Sequence, residues 1–494
     1  MPEVYEPENE LVIGGTGTGK TYWVMYKMLS YMERGIHFVY IDPKGDGYWK
    51  MLGYFQWLSV TQPAKWAQIR SRVIFVNPVA KGDYLVSFNA IEPIDGEFAD
   101  AKPDRIALVA NNLTSHIRRT GGFEANEAMR MQNFLAAGIA TLVQGGKGAF
   151  SIAEFPWLFK PYYDEKARRL ADYNPFVESL LPAVTHYGTR FFWETEWPTM
   201  LGSDRREWVQ SSLGRIFPYV FDERCLWTTC AVENARLNFR EIVERGYWVF
   251  VNLPYYYEDD PVTTLIGNIL LTKIYYRAMQ RAHPTDFRII LDEARFFNTG
   301  PLDRILETGR FKKLWLTLIV QSISQLGRRR DGLTDASLIK TATNNVRYWS
   351  VFRDTEREDV EYLSWLMFRT TGQVPSLLQP NGTVQMLPPA AEQDLHARRF
   401  VELQDRNVIL FDKERAFKTY AWWTPHVPFR EADPEVLVDF EGEEMRRRGV
   451  PAKDLKAEIE ERQAQIKSLF EGERTVVSDI LPKVSRPSQL RRPQ

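Results

Sequence analysis

With 494 residues, 44% of them hydrophobic and 26% charged, the chain can bury substantial cores and divides into two or three domains or one large elaborated one. A formal net charge of -1 excludes a global basic footprint, so any nucleic-acid contact must be local. Two cysteines, Cys225 and Cys230, and six scattered histidines do not compose a zinc site and fit a reducing, cytoplasmic compartment. No signal peptide is visible, and no run approaches the ~20 apolar residues of a membrane span.

After a short acidic lead, Leu11 to Ile13 reads as a buried strand that enters Gly14-Gly-Thr-Gly-Thr-Gly-Lys-Thr21, and the following residues have the apolar spacing of a helix. The run Gly14, Gly15, Thr16, Gly17, Thr18, Gly19, Lys20, Thr21 fits the GxxxxGK[ST] pattern of a phosphate-binding loop. Glycines let the backbone curl so that successive N–H groups converge on phosphate oxygens, and the helix N-terminus adds partial positive charge. In such a loop Lys20 reaches the β- and γ-phosphates of ATP and the Thr21 hydroxyl ligates Mg²⁺.

His37 to Ile41 is a second strand, ending in Asp42-Pro-Lys-Gly-Asp46. Asp42 either meets a nucleotide crevice at the end of a parallel strand or belongs to a Pro-Gly turn with solvated charges. Arg72 to Asn77 is a third strand. From 91 to 235 the character changes to helical spacing, at 103–119, 126–144, 153–160 and 174–188, broken by Pro and Gly. A block this long is an inserted, mostly helical domain rather than a loop.

Tyr247 to Leu253 resumes the core, a helix over 261–281 follows, and Asp286 to Glu293 is an apolar strand ending in two carboxylates. Asp292 is placed to hold Mg²⁺ and Glu293 to polarise the water that attacks the γ-phosphate; the bland alternative for the pair is a helix N-cap. Leu314 to Gln321 is a further buried strand, whose terminal amide either senses the γ-phosphate or bonds backbone. Arg310 is either an arginine finger for a neighbouring subunit or a solvated surface residue. Gly327 to Gly332 encloses Arg328, Arg329 and Arg330, a basic loop for DNA phosphates or a solvated charge run. Val346 to Phe352, Val408 to Phe411 and Ala416 to Tyr420 read as strands, the last two as a hairpin. Glu435 to Glu473 reads as two solvent-facing helices split at Gly449-Val-Pro451, before a Pro-rich basic end at 482–494.

Taken together, GGTGTGKT (14–21), IDPKGD (41–46), SFNAI (87–91), ILDEA (290–294), ETGRFKKLWLTLIVQSISQL (307–326) and NNVRYWSVFR (344–353) resemble the FtsK–HerA superfamily of P-loop ATPases. The nearer likeness is to conjugative coupling proteins of the TraG/TraD type and related type IV secretion ATPases, over roughly residues 10–425. The resemblance implies a RecA-like α/β core with a mostly parallel sheet, a large helical insertion and a charged helical tail. Its segments are 1–90 and 236–430 for the core, 91–235 for the insertion and 431–494 for the tail. It supports Lys20 and Thr21 for phosphate and Mg²⁺, Asp292 and Glu293 as metal carboxylate and base, Gln321 as γ-phosphate sensor and Arg310 as a trans-acting arginine. It further implies an ATP-hydrolysing hexamer that moves DNA, cytoplasmic and docked at the inner membrane through a partner, with a relaxase, nuclease or secretion component alongside. Relatives usually carry N-terminal membrane helices or a β-barrel, whereas here the loop begins at Gly14; no winged-helix DNA reader is recognisable. Two other activities fit the same residues: an ATPase energising secretion or pilus assembly without gripping DNA, and a nucleotide-switch adaptor that recruits a DNA-processing partner.

Overall fold

The computed structural model describes residues 7–80, 83–92, 125–164, 168–255, 261–297, 300–330, 333–353, 356–378, 384–414, 418–424 and 432–471. The helical spacing at 103–119 and the basic end at 482–494 lie outside them. Two compact units emerge: one holds Met1–Val76, Glu241–Asp259 and Ala278–Phe440, the other Asn77–Arg240, Asp260–Arg277 and Glu441–Gln494.

The first unit is built on nine strands: β1 (Glu10–Ile13), β2 (His37–Asp42), β3 (Val73–Val76), β4 (Trp248–Asn252), β5 (Phe287–Leu291), β6 (Leu314–Val320), β7 (Tyr348–Val351), β8 (Asn407–Asp412) and β9 (Lys418–Trp423). Their order across the sheet is β9-β8-β7-β1-β6-β5-β2-β4-β3. Every junction from β7 to β3 is parallel; β8 and β9 add an antiparallel hairpin at one edge. The continuous apolar runs explain this arrangement. All seven residues of β6 are buried, which is the signature of a parallel strand covered on both faces.

One helix, Lys20–Glu33, leaves the glycine loop and is pinned to the sheet by charge as well as by packing. Lys27, on its buried side, pairs with Glu10 of β1, and Ser350 of β7 donates to the same carboxylate at 2.8 Å. Trp23 Nε1 in turn donates to Ser350 Oγ at 3.2 Å. On the far half of the sheet the aromatic residues pack: Phe55, from the helix Asp46–Thr61, lies 5.4 Å from Phe250 and 5.9 Å from Phe75 between ring centroids.

The second unit gathers its core around the helix Ala125–Gly145, where Phe134 meets Phe159 at 4.2 Å and Trp193 stacks on Phe159 at 5.6 Å. The helix Ala452–Phe470 and the Glu441–Arg448 part of the helix before it belong to it, each with buried residues rather than facing solvent throughout. The run Pro434–Arg448 buries Met445, and Ala452–Phe470 buries Leu455, Ile459, Arg462 and Ile466. Between them Val450–Pro451 pairs antiparallel with Tyr84–Leu85. The charged composition at 435–473 conceals this narrow buried stripe, so the solvent-facing expectation is corrected. Asp260–Arg277, most of the helix expected in the core, also groups with the second unit.

Candidate nucleotide site

Because β1, β6, β5 and β2 are parallel neighbours, their C-terminal ends fall on one edge of the sheet, where the polar residues Gln321, Asp292 and Asp42 stand at the ends of β6, β5 and β2 and β1 runs into the glycine loop. From β1 the chain enters the glycine loop. Gly14 has no room for a side chain, since an added Cβ would stand 2.5 Å from Phe352 Cβ. Gly17 and Gly19 take φ of +80° and +107°, values that L side chains rarely adopt. Thr16 and Gly17 form the exposed crest, while Thr18 is buried and donates to Gly15 O at 2.8 Å. Lys20 folds back over the loop, donating to Gly14 O and, at 2.6 Å, to Gly15 O. Burial lowers its pKa to about 8, against the opposing pull of Asp292 and Glu293. Thr21 follows in the first turn of the helix.

At the end of β5, Asp292 and Glu293 share a tight turn. The Glu293 N–H donates to Asp292 Oδ1 at 3.0 Å, and Glu293 sits at φ +47°, a strained value for a residue other than glycine. Glu293 Oε1 accepts from Lys44 Nζ and, at 2.9 Å, from Gln321 Nε2. Burial pushes the Glu293 carboxyl up, but the hydrogen bonds from Lys44 and Gln321, with the charges of Lys44 and Arg295, prevail and hold it below the ordinary range. Its neighbour goes the other way. Asp292 is raised by burial first and then by the charge of Asp42.

Asp42 closes β2 and is fully buried, so it is not part of a solvated turn. Its Oδ1 accepts from the N–H of Lys44 and Gly45, both at 2.9 Å, and its Oδ2 from the N–H of Gly47 and Tyr48 at 2.8 and 3.0 Å. The Tyr40 hydroxyl stands between this carboxylate and that of Asp292. Sequence reasoning singled out neither Tyr40 nor Lys44. A lysine directly after the end of a parallel strand was the available signal for Lys44; Tyr40 reads as one more core aromatic.

No family model matches the chain, and no curated protein matches its sequence. Solved structures do. The bacterial conjugative coupling protein TrwBdeltaN70, in an unbound monoclinic form, superposes with a TM-score of 0.56 at 15% identity, covering 88% of this chain and 89% of that one. The plasmid coupling protein TrwB in complex with ADP and Mg²⁺ gives 0.54 at 15% identity over 88% and 89%. VirB4 of Thermoanaerobacter pseudethanolicus gives 0.48 at 12% identity over 85% and 90%.

The chain has the fold of a conjugative coupling protein.

In this coupling-protein fold, a RecA-like P-loop NTPase architecture, the strand that ends in Gln321 lies between the loop strand and the Asp292 strand. The other candidate residues sit elsewhere. Arg310 precedes β6, and β6 is seven residues long, so Arg310 is about 23 Å of strand from the Gln321 end. Its side chain is 68% exposed, with Glu8 Oε1 at 3.9 Å. The basic loop is an antiparallel two-stranded arm, Arg328–Arg330 paired with Leu333–Asp335.

Proposed function

We propose that this chain is an ATPase that binds ATP with Mg²⁺ in the Gly14–Thr21 loop, works as a ring, a hexamer, and uses hydrolysis to move DNA in conjugation-like transfer or DNA processing. One observation carries this reading: the loop, Gln321, the Asp292–Glu293 pair and Asp42 occupy the C-terminal ends of four adjacent parallel strands. Lys20, now bonded to loop carbonyls, exchanges them for phosphate oxygens. The Thr21 hydroxyl and Asp292 carboxylate are hard oxygen donors of the kind Mg²⁺ takes. Among the described residues no group of three His, Cys, Asp or Glu is arranged for a metal, and Thr21 and Asp292 are the residues that would hold the ion beside the phosphates. Mg²⁺ supplies charge neutralisation on the phosphates. Glu293 accepts the proton of the attacking water, and Gln321 holds that carboxylate and senses the γ-phosphate.

TrwB, a plasmid coupling protein solved with ADP and Mg²⁺, supports the nucleotide and the process. The exposed Arg310, far from the site of its own chain, supports a role on a neighbour's nucleotide and hence a ring. Arg328, Arg329 and Arg330 supply a local basic element for the DNA backbone. Among the described residues no helix is long and apolar enough to cross a membrane. A cytoplasmic motor of this kind docks at the inner membrane through a partner, and a relaxase, nuclease or secretion component is the natural recipient.

The test is steady-state ATPase rate with and without single- and double-stranded DNA, with Glu293→Gln as blank. Stimulation by DNA that the blank lacks is the expected result. The net charge of -1 favours a second reading, an ATPase energising secretion or pilus assembly without gripping DNA. Hydrolysis indifferent to DNA selects it.

A further inference from the structure

The polar residues at the strand ends form a closed ring. From Asp292 it runs to Tyr40 through the hydroxyl at 3.0 Å, and from Tyr40 to Asp42 at 3.1 Å. From Asp42 it passes to the backbone of Lys44 at 2.9 Å, and from the Lys44 ammonium to Glu293. The last link is the Glu293 N–H to Asp292 Oδ1. Of the five links, two lie within β2 and its turn, one lies at the end of β5, and two cross between these neighbouring strands. Gln321 braces the same Glu293 oxygen from the opposite flanking strand, β6.

The two oxygens of Glu293 are therefore unequal. Oε1 carries both donors. Oε2 is buried and accepts no hydrogen bond among the described residues, with Arg295 Nε 3.5 Å away. A carboxylate whose backbone is held at φ +47° has its direction set by what grips its far end. Lys44 is suited to that grip because its own backbone is fixed by Asp42, itself anchored by four backbone N–H groups.

We propose that Lys44 is a positioning residue for hydrolysis: together with Gln321 it holds Oε1 of Glu293 and presents Oε2 as the atom that takes the proton from water. The inference rests on the ATPase reading above and names the role of a residue which that reading leaves out. Lys44 touches neither loop nor phosphate in it, so nucleotide affinity and turnover should separate.

The experiment compares wild type, Lys44→Ala, Lys44→Met and Lys44→Arg by kcat, by KM and by equilibrium binding of a non-hydrolysable ATP analogue with Mg²⁺. The expected result is a fall in kcat of about tenfold or more in Lys44→Ala and Lys44→Met, the scale on which misaiming a reacting group acts. Analogue affinity should stay within about twofold, because the loop is untouched, and Lys44→Arg should recover part of the rate by restoring a cation. Unchanged kcat overturns the proposal, as does a raised kcat, which would make Lys44 a brake. A parallel loss of rate and affinity also overturns it, marking a merely structural residue. If wild type shows no hydrolysis that Glu293→Gln removes, it is the ATPase reading itself that fails; if that hydrolysis is present and Lys44→Ala is silent, only the positioning role fails.

Discussion

The hydroxyl of Tyr40 lies 3.0 Å from Asp292 Oδ2 and bridges it to a second buried carboxylate, that of Asp42. A phenol has one proton to give, so it cannot satisfy two ionised neighbours at once. Removing it leaves two buried carboxylates facing each other with nothing between. Tyr40→Phe is therefore expected to lower unfolding stability by about 1–3 kcal/mol, the cost of orphaning a buried polar group. Urea denaturation of wild type and variant checks this, and a variant within 0.5 kcal/mol (~the spread of a neutral surface change) would show that the bridge carries no net stability.

Arg310 and Glu293 are predicted to act on the same phosphate from different chains. Arg310→Ala alone should lose turnover while keeping ATP affinity, as should Glu293→Gln. In a mixture of the two variants some interfaces receive an intact Glu293 from one subunit and an intact Arg310 from the other. Partial recovery of ATPase activity on mixing is the expected outcome. Activity no higher than the average of the separate variants would place Arg310 outside the mechanism.

Arg462 is the buried hub of the second unit. It donates to Glu154 at 3.2 Å, to the Cys230 carbonyl at 2.8 Å and to Glu458, whose carboxylate also caps the N–H groups of Val232 and Asn234. Arg462→Met keeps the apolar stem and leaves both carboxylates without their cation, at a cost of about 3–5 kcal/mol for a broken buried pair. Limited proteolysis should show the C-terminal helix released, with cleavage between residues 432 and 471 that wild type resists. Equal resistance in the variant would mean that the apolar stripe alone holds the helix.

His37 opens β2, stacks on Trp248 at a ring separation of 5.4 Å, and is held neutral by burial and then by Arg72, its pKa lowered to about 4 from 6.5. The unfolded chain thus takes up a proton near pH 6.5 that the folded chain accepts only near 4. Its contribution to stability is full above pH 6.5 and is lost as the pH falls from there towards 4. His37→Phe, which preserves the stack, removes this dependence. The difference in Tm between wild type and variant should shift in favour of the variant over that window, and a constant difference from pH 7 to 4.5 would exclude the histidine as its source.

What could be read from the chain alone was chemistry confined to one short stretch. Gly14 to Thr21 was legible as a glycine loop between a strand and a helix, and Asp292-Glu293 as the end of a buried strand, because both follow from patterns within a few residues. The ring through Tyr40, Asp42 and Lys44 was not, because it closes across β2 and β5, whose adjacency only the sheet order reveals. A tyrosine in HFVYID has no feature that separates it from a packing aromatic. The C-terminal helix misled for a different reason: Leu455, Ile459 and Ile466 are sparse among charges, and the fourth member of their stripe is Arg462, an arginine buried by its partners rather than by its hydrophobicity.

The second unit joins chain segments that are made far apart in time. Leu85 and Ala231 complete their cluster only with Val450 and Leu455. At about 5–20 residues per second a ribosome finishes the first two long before the last two emerge. Until then the apolar faces near residues 85 and 231 lack the C-terminal half of their cluster. The nascent chain must therefore wait with one half-made core exposed, and it is during this interval, more than in the finished molecule, that a chaperone or an early-bound partner would matter most to its yield.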